Sequence, residues 1–120
     1  MEVGLFLRFG KLVPGREEKA IELFTEAVEY FGAKVKKGIL TYFEPFFLRT
    51  ADLEEETGFM IMRGPAPEVF KMIEEEPFLK LVEKGYFLVE HLTWHLLTVG
   101  EGITQQLERS GKVRAELGIV

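Results

Sequence analysis

With 120 residues, 47% of them hydrophobic, the chain is long enough for one folded domain and too apolar for a disordered segment. A net charge of −5, with no Lys/Arg cluster clear of acidic neighbours, lacks the footprint of a phosphate-backbone binder, so no nucleic acid is expected as a partner. The absence of cysteine excludes disulfides, thiolate metal sites and a cysteine nucleophile.

No apolar run approaches the ~18 residues that a bilayer span requires. Residues 1–15 show no basic start followed by an apolar block and a cleavage site, so the expectation is a cytoplasmic protein without membrane contact. Asparagine is missing, Asp52 is the single aspartate, and Gln105 and Gln106 are the only glutamines. That depletion of thermolabile residues, beside abundant Glu and Lys, is a thermophile-like composition.

Val3 to Phe9 reads as a strand. Val3, Leu5, Leu7 and Phe9 share one face and Gly4, Phe6 and Arg8 the other, the pattern of a central strand covered on both sides. Pro14-Gly15 makes a turn. From Arg16 to Phe31, Ala20, Ile21, Phe24, Ala27, Val28 and Phe31 recur at helical spacing. Glu17 and Glu18 suit the first turn, and Gly32 is the expected stop. Ile39 to Arg49 is a second strand, which Pro45 assigns to an edge or a bulge because proline cannot donate to a ladder. Thr50 to Thr57 is acidic and polar, a hairpin loop, and Gly58 to Arg63 is a third strand, apolar on both faces.

A second helical region starts at Gly64-Pro65-Ala66-Pro67, and Pro77 opens a new helical piece within it. This piece ends at Gly85 or runs on through Val89. His91 to Val99 is the last strand, with His91, Thr93, His95, Leu97 and Val99 on one face and Leu92, Trp94, Leu96 and Thr98 on the other. Gly100-Glu101-Gly102 breaks it. Ile103 to Arg109 is a short helix interrupted by Ser110-Gly111, and the apolar end (Leu117, Ile119, Val120) has to dock on its own domain or on a partner. Residues 1–102 are thus expected to form the domain and residues 103–120 a helical tail.

The order strand, helix, strand, strand, helix, strand is the split βαβ, or ferredoxin-like, α+β arrangement, with helices on one face of an antiparallel sheet. Phe6 lies opposite Leu5 and Leu7, and Met60 and Met62 opposite Phe59 and Ile61. The second sheet face is therefore also apolar and needs cover. Another copy of the chain, sheet to sheet, supplies it, so a homodimer is expected.

Pro14-Gly15-Arg16-Glu17-Glu18-Lys19-Ala20 through Tyr30-Phe31-Gly32, then Phe43-Glu44-Pro45 and Gly100-Glu101-Gly102, together with the element order, resemble bacterial proteins of unassigned role in the dimeric α+β barrel superfamily. The resemblance covers residues 3–102. It implies the ferredoxin-like barrel dimer. That superfamily hosts cofactor-independent monooxygenases, haem-degrading enzymes, isomerases and plain binding or stress proteins, so the resemblance implies a fold more narrowly than a function.

His91 and His95 are the sharpest candidates for chemistry. Four residues apart on a strand they stand roughly 13 Å from each other, too far for one metal ion. On a helix they would be about 5–6 Å apart and could chelate. On the strand reading no metal is expected, and one histidine is left as a base or haem ligand, or both as hydrogen-bonded interior residues. Arg8 and Glu44 are charges within apolar strands. They read as an anchor for an anionic substrate group with a proton acceptor, or as a structural ion pair. Phe6, Tyr42, Phe43, Phe46, Met60, Met62 and Trp94 are candidates to line a pocket for a flat apolar ligand, or are simply core.

Ser110 is the only serine and stands in no nucleophile elbow. No glycine-rich loop has a phosphate-binding setting. Serine hydrolase, kinase, NTPase and dinucleotide-dependent chemistry are disfavoured, and no cofactor is expected. Two functions are left. The first is a small-molecule-binding or structural dimer. The alternative is a cofactor-independent monooxygenase-like or isomerase-like enzyme acting on an apolar or aromatic compound inside the barrel, with His91 or His95 taking a proton and Arg8 steadying the anion.

Overall fold

The computed structural model describes residues 1–50 and 57–119. The chain runs β1 (Glu2–Phe9), α1 (Glu17–Lys36), β2 (Tyr42–Phe47), β3 (Gly58–Pro65), α2 (Ala66–Met72), α3 (Glu76–Leu88), β4 (Thr93–Thr98) and α4 (Glu101–Glu116). The four strands form one sheet in the order β2-β3-β1-β4, every neighbouring pair antiparallel. This is the expected ferredoxin-like α+β fold: β1 and β2 run the same way but β3 is inserted between them, and β1 separates β3 from β4. Pro45 lies on β2, an edge strand, where its missing N–H interrupts no ladder on the outer side. The expected 50–57 loop falls largely on residues 51–56, outside the described residues.

Strand alternation decides which side chains meet the helices. Leu5 pairs with Met62 and Leu96, and Leu7 with Met60 and Trp94, so Val3, Leu5, Leu7, Met60, Met62, Phe43 and Trp94 point toward α1, α2 and α3. The helices answer with Ala27 and Phe31 of α1, Val69 and Met72 of α2, and Phe78, Leu81 and Val82 of α3. Leu5, Met62, Val69 and Phe78 are fully buried, each worth about 1.5–3 kcal/mol of transfer free energy. Phe31 packs on Phe43 with ring centroids 5.4 Å apart, and Phe78 meets Trp94 edge-on at 5.4 Å.

Several boundaries differ from the sequence reading, among them β2, which spans Tyr42–Phe47 where Ile39 to Arg49 was expected. Helix α1 runs through Gly32 to Lys36. The residue that ends it is Gly38, with φ 76, whose N–H donates to the Val35 carbonyl while the Ile39 N–H reaches back to Lys34. That pair of bonds is a Schellman closure, which needs the left-handed residue two positions past the last helical one; Gly32 sits mid-helix with normal φ. Helix α4 passes through Ser110-Gly111 without a break, since glycine in a helix costs only about 1 kcal/mol. Strand β4 begins at Thr93, leaving His91 outside it.

A polar clamp ties the end of α1 to the α2–α3 turn. The Tyr30 hydroxyl donates to Glu75, the Lys34 ammonium lies 2.5 Å from the same carboxylate oxygen, and Lys34 sits 5.2 Å from the Tyr30 ring centre. Burial, then the Glu75 hydrogen bond and charge, push the Tyr30 phenol far above its ordinary value. Burial alone would raise Glu75, but the hydrogen bonds from Lys34 and Tyr30 and the Lys34 and Lys37 charges outweigh it and hold the carboxyl below its usual range. A carboxyl depressed in the folded state stabilises the fold above its unfolded pKa and loses that contribution as pH falls through its folded pKa. Glu75→Gln is therefore expected to lower stability at neutral pH by about 1 kcal/mol. In urea titrations across acid pH, the gap between the two proteins should close as Glu75 protonates.

Candidate functional site

The sheet's two faces offer two different sites. On the helix side a cavity of about 260 Å³ opens between β1, β3, α1 and α3. Its origin is local. Ala20 and Ala27 lie seven residues apart on the sheet-facing stripe of α1 and stop at a methyl group where a larger side chain would reach the strands. At the far wall Gly85 lets α3 pack directly on Leu92, whose side chain fills the place a Cβ would take. Around this gap stand Leu7, Phe9, Phe24, Phe31, Met60 and Phe78. Phe9, Phe24 and Phe47 form an aromatic trio, with centroids 5.1–6.5 Å apart and two of the three contacts edge-on. Ile21 and Phe47, each 60% exposed, stand where the cavity meets solvent.

Of the 18 residues lining the cavity, Thr57 alone carries a polar side chain. The wall holds no carboxylate, imidazole, amine or guanidinium among the described residues. It can enclose an apolar body, and it favours an aromatic one through the edges of its phenylalanines. Its volume exceeds the roughly 150 Å³ of an apolar cavity that admits benzene.

The opposite face has no helix over it. Phe6 lies between Ile61 and His95, and Arg8 between Phe59 and Thr93. Phe59 stacks on Phe46 at 4.9 Å and meets Phe6 at 5.5 Å. Arg8 Nε and Thr93 Oγ1, neighbours across the β1–β4 ladder, are both buried without a hydrogen-bond partner in the chain. His95 is exposed on the same face, diagonal to Arg8, a spacing of about 7–8 Å. Glu44 pairs with Ile61 and stands two strand spacings from β1, roughly 10 Å, so it does not pair with Arg8 within one chain. Instead the Tyr42 hydroxyl donates to Glu44 at 2.5 Å, which raises the Tyr42 phenol above its ordinary value.

The residues singled out in the sequence are thus divided. Arg8, Glu44, His95, Phe6, Tyr42 and Phe46 share the open face. Met60, Met62 and Trp94 face the helices, and of these Met60 alone lines the cavity. The two groups cannot line one pocket, because side chains an odd number of positions apart on a strand leave through opposite faces. His91 joins neither. It sits at φ 55 in the turn from α3 into β4, just after the bridge in which Glu90 exchanges hydrogen bonds with Gly10 and Lys11. Its side chain is exposed. Among the described residues no three His, Asp or Glu side chains converge as a metal site would require, and no helix is long and apolar enough to cross a membrane. The cavity residues Ala20, Ala27, Phe24 and Phe9 escaped functional notice in the sequence, where they read as ordinary core. The available signal was the pair of alanines inside an otherwise bulky stripe.

No family model matches the sequence, and no curated protein is similar to it. Solved structures do share its fold. A DABB-family protein with a ferredoxin-like fold from Mesorhizobium loti is 12% identical, with a TM-score of 0.60 over 83% of this chain and 100% of that one. SnoaB, a cofactor-independent oxygenase from Streptomyces nogalater, is 18% identical with a TM-score of 0.59, over 82% of this chain and 92% of that one. A dimeric protein of unknown function and ferredoxin-like fold from Bacteroides fragilis is 11% identical with a TM-score of 0.57, over 79% and 93%. At these identities the likeness shows the fold: a ferredoxin-like α+β domain.

The turn geometry of His91 yields a direct check. A left-handed residue with a Cβ carries local strain that glycine lacks. His91→Gly is expected to keep the fold and to hold or raise stability by up to about 1 kcal/mol, measured by thermal melting. A large loss of stability would mean that the imidazole itself holds the turn.

Proposed function

We propose that the chain works as a homodimer that takes up a small apolar molecule, preferentially aromatic, in the cavity between its sheet and helices α1 and α3. The observation that carries this reading is the cavity wall, built from aliphatic and aromatic side chains with one threonine. An enzyme site of that size would place an acid, base or nucleophile against its ligand; a binding site needs only complementary apolar surface. A bicyclic aromatic and the wall it covers would remove roughly 450 Å² from water, about 11 kcal/mol gross. Association costs of about 4 kcal/mol or more leave an affinity in the micromolar to millimolar range.

The homodimer follows from the uncovered face, where Phe6, Phe46, Phe59, Ile61 and Leu97 are only half-buried in the single chain. A contiguous apolar face of this size marks an interaction surface. A dimeric neighbour of the same fold supports it.

The second reading, a cofactor-independent monooxygenase-like or isomerase-like enzyme, is favoured by a different observation: Arg8, Thr93 and His95 share the face that a second sheet would enclose. There His95 would take a proton from the substrate and Arg8 would hold the resulting anion, with Glu44 and its Tyr42 partner at the far edge. The two readings use opposite faces of the sheet and therefore separate cleanly by mutation.

Titration calorimetry with naphthalene tests the first. Saturable binding is expected, and Ala27→Leu, which adds volume into the cavity, should weaken it about tenfold or more while leaving the fold intact. His95→Gln and Arg8→Gln should leave it unchanged. Binding that ignores Ala27→Leu but disappears with Arg8→Gln would move the site to the open face and favour the enzyme.

A further inference from the structure

Helix α4 stands apart from the domain that precedes it. Of its 16 residues only Gly102 is buried, where the helix start packs near Thr98 and Met1. Beyond this first turn, Ile103, Leu107, Val113 and Leu117 are 43–68% exposed. Ile103, Leu107 and, at the C-cap, Leu117 fall on one side of the helix, which Ser110 and Arg114 share between Leu107 and Leu117. The radius of gyration is 17.0 Å, whereas a compact domain of this length has about 14 Å. The longest dimension, 56 Å against 35 and 24 Å for the others, is that of a body with an arm.

Such an arm does not hold itself together. An isolated helix of this length is marginal in water, and this one carries Gly102 and Gly111 and the weak helix formers Thr104 and Ser110. The Glu108–Lys112 spacing contributes only about 0.3–0.5 kcal/mol. Its order requires a surface to lie on, and among the described residues its own domain meets it only along Gln105, Gln106 and Arg109, beside Met1 to Val3, leaving Ile103, Leu107 and Leu117 uncovered.

We infer that α4 is an exchanged arm: its Ile103–Leu107–Leu117 stripe lies on a second copy of the chain, in a dimer that rests on the homodimer reading above. The area requirement points to a second copy as the occupant. The open face of four strands, two of eight residues and two of six at ~3.3 Å per residue and ~4.8 Å spacing, has a flat footprint of roughly 440 Å². A standard stable interface buries about 800 Å² per partner, so the sheet alone falls well short. The arm is about 24 Å long and ~10 Å wide, roughly 240 Å². In a two-fold dimer each copy both gives an arm and receives one, which brings each partner to about 900 Å². The arm and the sheet face are therefore two parts of one interface.

The test is sedimentation of the full chain over a dilution series, beside the Ile103→Glu/Leu107→Glu/Leu117→Glu variant, with hydrogen exchange of α4 followed at high and low concentration. The substituted residues are exposed in the single chain, so the thermal transition of the domain serves as the folding control. The expected result is a dimer whose dissociation constant rises at least about 100-fold in the variant, with α4 amides protected in the dimer and exchanging freely on dilution. A full-length chain that is monomeric throughout would overturn the homodimer reading and this inference with it. A dimer that is equally tight in the variant, with α4 amides unprotected, would overturn the arm alone and assign the stripe to some other occupant, such as a different protein or a lipid surface.

Discussion

A four-stranded sheet has two faces, and this chain supplies close-packed helices for one. Every strand places apolar residues on both: Leu5, Leu7, Met60 and Met62 toward the helices, Phe6, Phe59 and Ile61 away from them. The helical side is closed by α1, α2 and α3 and forms the core. The other side has no helix over it among the described residues, and the cost of leaving it wet is of the same order as the net stability of a domain this size. The division of the candidate residues follows from the strand alternation behind that imbalance, and the proposed dimer rests on the imbalance itself.

Alternation along the strands also sorts chemistry from volume. The groups able to carry charge or exchange a proton, Arg8, Glu44 and His95, are on the open face, spread over three strands. The space able to hold a molecule is on the other face, behind Ala20 and Ala27. Among the described residues, no one copy brings the cavity and a strand-borne catalytic group to the same face of the sheet. This separation favours binding in the helix-side cavity, and it makes any catalytic role for Arg8 and His95 dependent on the partner sheet.

The fold was legible because it rests on periodicity. The alternation of Val3 to Phe9, the helical spacing of Ala20 to Phe31 and the proline at position 45 each carry a geometric meaning that survives folding. Helix ends were read less well. Gly32 and Gly38 are both glycine after a helical run, and only backbone closure distinguishes the one that takes a left-handed φ. Ser110-Gly111 looked like a break because propensity is local, whereas a helix persists through weak formers when its neighbours hold it. His91 was drawn into the strand by its proximity to Trp94 and His95, yet it belongs to the turn. The cavity was the hardest feature to foresee. Composition shows that Ala20 and Ala27 are small and inward, but whether a neighbouring phenylalanine closes the gap depends on the distance between α1 and the sheet, which no pattern in the chain encodes.

The chain contains four methionines, of which Met60 lines the cavity while Met62 and Met72 are buried in the adjoining core. Methyl-labelled methionine therefore gives an internal comparison for ligand entry. Titrating the full-length protein with naphthalene while recording the methionine methyl resonances is the most direct test of the account. A saturable shift of Met60, with Met62 and Met72 nearly still, is the predicted result. A spectrum in which Met60 does not move at saturating ligand, or in which all three core methyls shift alike, would contradict it.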